Sequence, residues 1–148
     1  MDEDERIEIP LPGLHETIWE EREFLGWRDP KRPHRGYLVF WEDDTPRGVC
    51  VRAAETPMPA GRPAMCSLCH TQQPAPQVSL FVAPKAGAPG RNGDTVGTYL
   101  CRDLACPSLL RRKSDEQSRP VHSEHTRELI AAGITKRLAG FTARVVGR

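Results

Sequence analysis

Apolar and polar positions predict two pairs of β-strands along the chain. Residues 37–41 are rich in aromatic and β-branched side chains, and residues 49–51 follow after a short Asp- and Gly-containing turn, so these two segments predict a hairpin. Residues 78–83 and 95–101 form a second pair, separated by the Gly- and Pro-rich loop at 84–93. The chain is therefore expected to contain a sheet.

Apolar residues at helical spacing predict three helices. Residues 14–27 carry Leu14, Ile18 and Leu25 on one side and are stopped by Pro30. A short helix is expected from Pro107 through residue 113, because proline suits the first helical position. The last helix is expected to be capped by Ser123 and to bury four apolar residues: Ile130, Ile134, Leu138 and Phe141.

The length of 148 residues is that of one domain, with no room for two independent cores. The 14 prolines are about twice the usual share, so long irregular connections are expected. We divide the chain into an acidic tail, 1–13, and a single domain, 14–148, which comprises a helix plus hairpin (14–53), a central segment (65–113) and a C-terminal helix (123–146).

The net charge of +1 conceals an asymmetry between the ends of the chain. Residues 1–24 carry a net charge of −7, and residues 66–148 carry +6. The basic half is therefore the part suited to an acidic or phosphate-bearing partner. No apolar run approaches a membrane span, and the acidic first ten residues do not resemble a secretory signal, so a cytoplasmic protein without a membrane partner is expected.

Four of the five cysteines form two close pairs that predict a metal site. Cys66-x2-Cys69 and Cys101-x4-Cys106 are separated by 31 residues. Each pair can chelate a metal through one turn, and four thiolates complete the tetrahedral shell of a structural zinc. The order of first turn, strand pair, second turn and helix is that of a treble-clef zinc finger, which the central segment (65–113) is expected to form. The sequence thus predicts an α+β fold with one structural Zn²⁺.

Other interpretations explain less of the cysteine pattern. Cys66 to His70 fits the C-x-x-C-H of covalent haem attachment, but that chemistry follows export and leaves the second pair unexplained. A thioredoxin-like redox motif needs a βαβ setting, and a catalytic zinc needs an open position that four cysteines close. Phosphate-binding and nucleophile-elbow motifs are absent from the sequence. We therefore expect no enzyme and no small-molecule substrate, with Cys50 as a small buried strand residue.

Four strings of residues carry a resemblance to a known family: 24–31 (FLGWRDPK), 65–69 (MCSLC), 78–80 (VSL) and 96–106 (VGTYLCRDLAC). They closely resemble the elongation factor G-binding protein family, and the resemblance runs from about residue 14 to 146. The family's treble-clef zinc finger is shared with the fusidic-acid resistance proteins. The resemblance implies that the four paired cysteines are zinc ligands and that the finger belongs to a domain that grips elongation factor G.

The resemblance further implies a binding protein that docks on elongation factor G and modulates its association with the ribosome. Tyr99 resembles a family contact position. Elongation factors are generally acidic, so six basic residues are expected to form a complementary face: Lys85, Arg91, Arg102, Arg111, Arg112 and Lys113. The alternative is a treble clef that binds the ribosome or its RNA through the same side chains, without elongation factor G contact and with steep salt dependence.

Overall fold

The computed structural model describes residue 6 and residues 8–11, 22–111 and 123–147. Within them no helix is both long and apolar enough to cross a bilayer. A 3-10 turn, Ala75–Gln77, lies between Pro74 and Val78. The elements of the described residues are β1 (Leu25–Arg28), β2 (Arg35–Glu42), β3 (Thr45–Ala53), β4 (Pro63–Met65), β5 (Gln72–Pro74), β6 (Val78–Pro84), α1 (Ala88–Arg91), β7 (Thr95–Cys101), α2 (Cys106–Leu110) and α3 (Glu124–Val146).

Two hairpins, β2–β3 and β6–β7, join with strand β1 into one antiparallel sheet of five strands. The strand order is β1-β2-β3-β6-β7. In the first hairpin, β2 and β3 are connected by Asp43 and Asp44, which both have positive φ angles. Such turns match the twist of the flanking strands, and aspartate tolerates this conformation. Strand β3 meets β6 at its end, where Ala53 lies opposite Phe81. This junction merges the two hairpins into one surface.

The predicted helix over residues 14–27 is wrong at its C-terminal end. Leu25–Arg28 is strand β1, which pairs antiparallel with β2 so that Gly26 lies opposite Leu38. Pairing with the open edge of β2 satisfies the backbone groups of this segment, and that tertiary interaction overrides the weak helical spacing. Residues 12–21, which hold most of the predicted helix, lie outside the described residues.

Asp29 organises the loop between β1 and β2. Its Oδ1 accepts the backbone N–H groups of Lys31 (2.9 Å) and Arg32 (3.2 Å), and its Oδ2 accepts the Tyr37 hydroxyl (3.0 Å). Burial opposes the negative charge, but these bonds together lower the pKa of Asp29 below its ordinary value. The carboxylate therefore contributes stability at neutral pH that is lost as the pH falls through the lowered pKa.

Helix α3 packs on one face of the sheet and completes the core. The Ser123 side chain caps the helix by accepting the N–H of Thr126 (3.3 Å), and Gly147 follows the helix with a left-handed backbone. The buried helix residues join the buried strand residues and all four paired cysteines in one cluster. The cysteine site is therefore part of the main hydrophobic core and not a separate cluster.

The second cysteine turn, residues 101–106, packs directly against two glycines of the sheet. Leu104 in this turn is fully buried and has a positive φ of 56°. A Cβ added to Gly26 in β1 would overlap the carbonyl oxygen of Leu104, and one added to Gly36 in β2 would overlap its Cδ1. The sheet can approach the turn this closely because both positions lack a side chain.

Gly26→Ala is expected to destabilise the protein by about 3 kcal/mol, because the added methyl meets a backbone carbonyl that cannot rotate away. Gly48→Ala is the matched control. Its Cβ would have Leu38 as nearest neighbour at 3.9 Å, so a change within about 0.5 kcal/mol is expected. Urea unfolding of the two variants measures the difference. Equal midpoints would show that the turn does not rest on β1.

Candidate metal centre

Four sulfur atoms converge at the junction of the two cysteine turns. Those of Cys66, Cys69, Cys101 and Cys106 all lie within 4.8 Å of one another, and all four residues are buried. Two of the sulfur pairs join one turn to the other, with Sγ–Sγ distances of 3.6 Å for Cys66–Cys106 and 3.7 Å for Cys69–Cys101. A tetrahedral zinc with Zn–S bonds of about 2.3 Å requires sulfurs about 3.8 Å apart. The cluster therefore fits a structural zinc.

The first cysteine turn, residues 66–70, is closed by its own backbone. The N–H of His70 donates to the carbonyl of Cys66 (2.9 Å), and the N–H of Leu68 points at the Cys66 sulfur (3.4 Å). His70 has a positive φ of 53°, a conformation that histidine adopts more readily than most residues. It is exposed and lies outside the cluster of four sulfurs, so its part in the site is to complete the turn.

Backbone hydrogen bonds attach both turns to the β6–β7 hairpin. The N–H of Ser67 in the first turn donates to the carbonyl of Tyr99 in β7 (2.7 Å). The N–H of Arg102 in the second turn donates to the carbonyl of Gln77, the residue immediately before β6 (2.8 Å). The second turn is closed by the N–H of Leu104 donating to Cys101 (2.9 Å). The hairpin thus sets the spacing at which the two cysteine pairs face each other.

The four cysteine thiols shift one another's pKa values. Hydrogen bonds from Cys101 and Cys106 lower the pKa of the Cys66 and Cys69 thiols. Hydrogen bonding with Cys101, Cys66 and Cys69, together with burial, raises the pKa of Cys106. Without a cation among them, the four groups therefore resist full ionisation. A bound dication removes this conflict, because it offsets the repulsion among four thiolates.

Two arginines from outside the finger each donate to a carbonyl of one turn. From α3, Arg137 Nε donates to the carbonyl of Leu68 in the first turn (2.6 Å). From β1, Arg28 donates to the carbonyl of Arg102 in the second turn (3.1 Å), and its guanidinium lies over the ring of Phe81. These contacts place positive charge beside a centre whose zinc and four thiolates sum to −2. Both arginines lie far along the chain from their carbonyl partners, 69 and 74 residues away, so no local sequence pattern identifies them.

A family model described as the FBP C-terminal treble-clef zinc-finger matches residues 1–145. The chain belongs to this family. No curated protein and no solved structure gives a significant match. The match and the sulfur cluster together confirm the predicted α+β treble clef with one structural zinc.

The predicted basic face of this FBP-family chain is divided by the fold. Lys85, half-buried, and Arg91, exposed, lie in the β6–β7 loop, at the opposite end of the hairpin from the cysteine turns. Arg102 is exposed in the second turn, with its Nε 3.7 Å from Asp103. Among the predicted basic residues that the structure describes, Lys85 and Arg91 therefore lie apart from Arg102.

Arg111 is held by an ion pair within the chain. Its guanidinium binds both carboxylate oxygens of Glu23, at 2.6 and 3.0 Å, and also donates to the carbonyl of Pro107. The Glu23 side chain is 10% exposed, so this pair ties α2 to the segment before β1. Arg112 and Lys113, the other two predicted contacts, lie outside the described residues.

Three exposed apolar side chains lie on elements next to the first cysteine turn. Tyr99 on β7 is 43% exposed, Met65 immediately before the turn is 45% exposed, and Leu129 on α3 is 62% exposed. An open groove of about 480 Å³ separates the turn from α3 and is lined by Cys69, His70, Thr71, Gln72, Thr126, Leu129, Ile130 and Arg137. Of this surface, the sequence identified Tyr99.

Cys101→Ser is expected to lose zinc and native folding together, because structural zinc contributes about 10–16 kcal/mol in small fingers. Cys50→Ser is the control. Cys50 proves half-buried in β3 rather than buried, and it lies outside the cluster. Metal analysis and thermal unfolding measure both properties. Stoichiometric zinc and an unchanged melting temperature in Cys101→Ser would refute the ligand assignment.

Arg137→Met is expected to reduce stability by about 1.5–3 kcal/mol, because it removes a charged donor from the carbonyl of Leu68. Lys136→Met is the matched control, since the neighbouring Lys136 is exposed. Urea unfolding of the zinc-loaded proteins tests this. If both variants unfold at the same urea concentration, the arginine does not hold the first turn.

Proposed function

We propose that the chain is a zinc-stabilised binding protein that docks on translation elongation factor G and modulates its association with the ribosome. Membership of the FBP treble-clef family supports this, as does the resemblance of residues 24–31 and 96–106 to the elongation factor G-binding proteins. A partner in translation implies that the protein acts in the cytoplasm.

The observation that carries the proposal is the apolar surface around the first cysteine turn, formed by Met65, Tyr99 and Leu129. Leu129 lines the groove beside this turn, and large solvent-exposed apolar side chains are typical of protein–protein contacts. An RNA-binding surface is expected instead to be strongly basic, with aromatic residues interleaved for base stacking. The divided basic residues and the apolar groove therefore favour a protein partner.

The zinc centre would act by keeping this surface rigid. The turn that presents Ser67 and His70 is fixed on both sides, by the metal through its cysteines and by α3 through Arg137. A preformed surface loses less conformational entropy on binding than a flexible one. Four thiolates fill the metal's coordination shell, so we propose no catalysis. Binding would act by favouring one conformation or location of the partner.

Tyr99→Ala is expected to weaken binding to elongation factor G at least about tenfold, because aromatic anchors carry much of the energy of such interfaces. Trp41→Ala is the matched control. It removes another exposed aromatic, located on β2 and separated from β7 by two strands. Titration calorimetry of the zinc-loaded full chain against elongation factor G gives both affinities, and metal analysis verifies that zinc is retained.

Repeating the titrations at two salt concentrations separates the two classes of partner. A protein contact of this kind predicts one-to-one binding with weak salt dependence. Binding to ribosomal RNA without any protein factor, with affinity falling linearly on a log–log salt plot, would support the RNA alternative. No heat with elongation factor G at either salt concentration would refute the proposed partner.

A further inference from the structure

Gln73 is a buried polar side chain beside the zinc centre. It lies in the middle of β5, opposite Ala64 of β4, and is 3% exposed. The flanking pair, Met65 and Gln72, faces solvent. Alternation along the short strand therefore directs Gln73 inward, toward the sulfur cluster.

The carboxamide of Gln73 bridges the two cysteine turns. Its Nε2 lies 3.2 Å from the sulfur of Cys101 in the second turn and 3.3 Å from the carbonyl oxygen of Thr71, directly after the first turn. A carboxamide carries two N–H donors, so one can serve each acceptor. One side chain thereby links both halves of the site without binding the metal.

We propose that Gln73 is a positioning residue of the zinc centre, which holds the Cys101 thiolate on the metal and lowers its nucleophilicity through an N–H···S hydrogen bond. A donor to a thiolate withdraws electron density from sulfur, and a bond to a charged acceptor is stronger than one to a neutral group. Hydrogen bonds around a metal site commonly orient its ligands and tune their basicity. This role is independent of the partner that the protein binds.

The burial of Gln73 also argues for this bond. A carboxamide removed from water costs free energy unless its donors find acceptors. With Thr71 accepting one N–H, the thiolate is a charged acceptor within reach of the other. Such a bond compensates the burial of the amide and part of the negative charge of the centre at the same time.

Gln73→Met tests the proposal, because methionine has a similar length and lacks the donors. Gln72→Met is the matched control, since the same change there lies on the solvent-facing side of β5. Competition with a chromophoric chelator, using the full chain loaded with zinc, measures affinity. We expect about 10–100-fold weaker zinc binding for Gln73→Met and no change for Gln72→Met.

Two further readouts distinguish a hydrogen bond to sulfur from simple packing. Mass spectrometry after brief alkylation should show faster modification of Cys101 than of the other three ligands in Gln73→Met. In the cobalt-substituted protein, the thiolate-to-metal charge-transfer band should move to longer wavelength. Uniformly faster alkylation of all four cysteines with an unshifted band would overturn the proposal.

A measurement on the unmodified protein covers the case in which Gln73→Met does not fold. With ¹¹³Cd²⁺ in place of zinc, a hydrogen bond from nitrogen to a metal-bound sulfur permits magnetisation transfer between cadmium and the donated proton. We expect a correlation between ¹¹³Cd and a side-chain amide proton of Gln73. Correlations that reach backbone amides but not Gln73 would overturn the assignment.

Discussion

The tetrahedral arrangement of four sulfurs is the constraint on which the rest of this structure depends. Two turns separated by 31 residues must present their thiolates at distances that a single zinc can bridge. The β6–β7 hairpin spans that separation and returns the second turn to the first. Because the cysteines belong to the same buried cluster as the strands and α3, the free energy of metal binding is also free energy of folding.

Elements on both sides of the zinc finger in the sequence contact it. Strand β1 supplies Gly26, on which the second turn rests, and Arg28, which donates to it. Helix α3 supplies Arg137 to the first turn. Strand β1 thus contacts the second cysteine turn, and helix α3 contacts the first. This interdependence agrees with a family match that covers residues 1–145 rather than the finger alone.

The same arrangement would suit the metal centre to the binding role proposed above. Zinc and the carbonyl-bound arginines fix the backbone of the turns, so the side chains around them need not contribute to the core. Met65, Tyr99 and Leu129 remain exposed, and Leu129 lines the groove beside the first turn. Rigidity close to an exposed apolar surface is the physical basis of the binding role that we propose.

The sequence by itself determined the features that depend on local spacing and side-chain chemistry. The paired cysteines specify a tetrathiolate metal, segments rich in aromatic and β-branched residues on either side of turns specify the two hairpins, and Ser123 marks the start of the last helix. The tertiary structure alone decided that residues 25–28 form a strand, because the edge of β2 supplies their hydrogen-bond partners. It also decided the contacts of Arg137 and Gln73, which join positions 69 and 28 residues apart. No local pattern encodes such pairs, since chain folding alone brings them together.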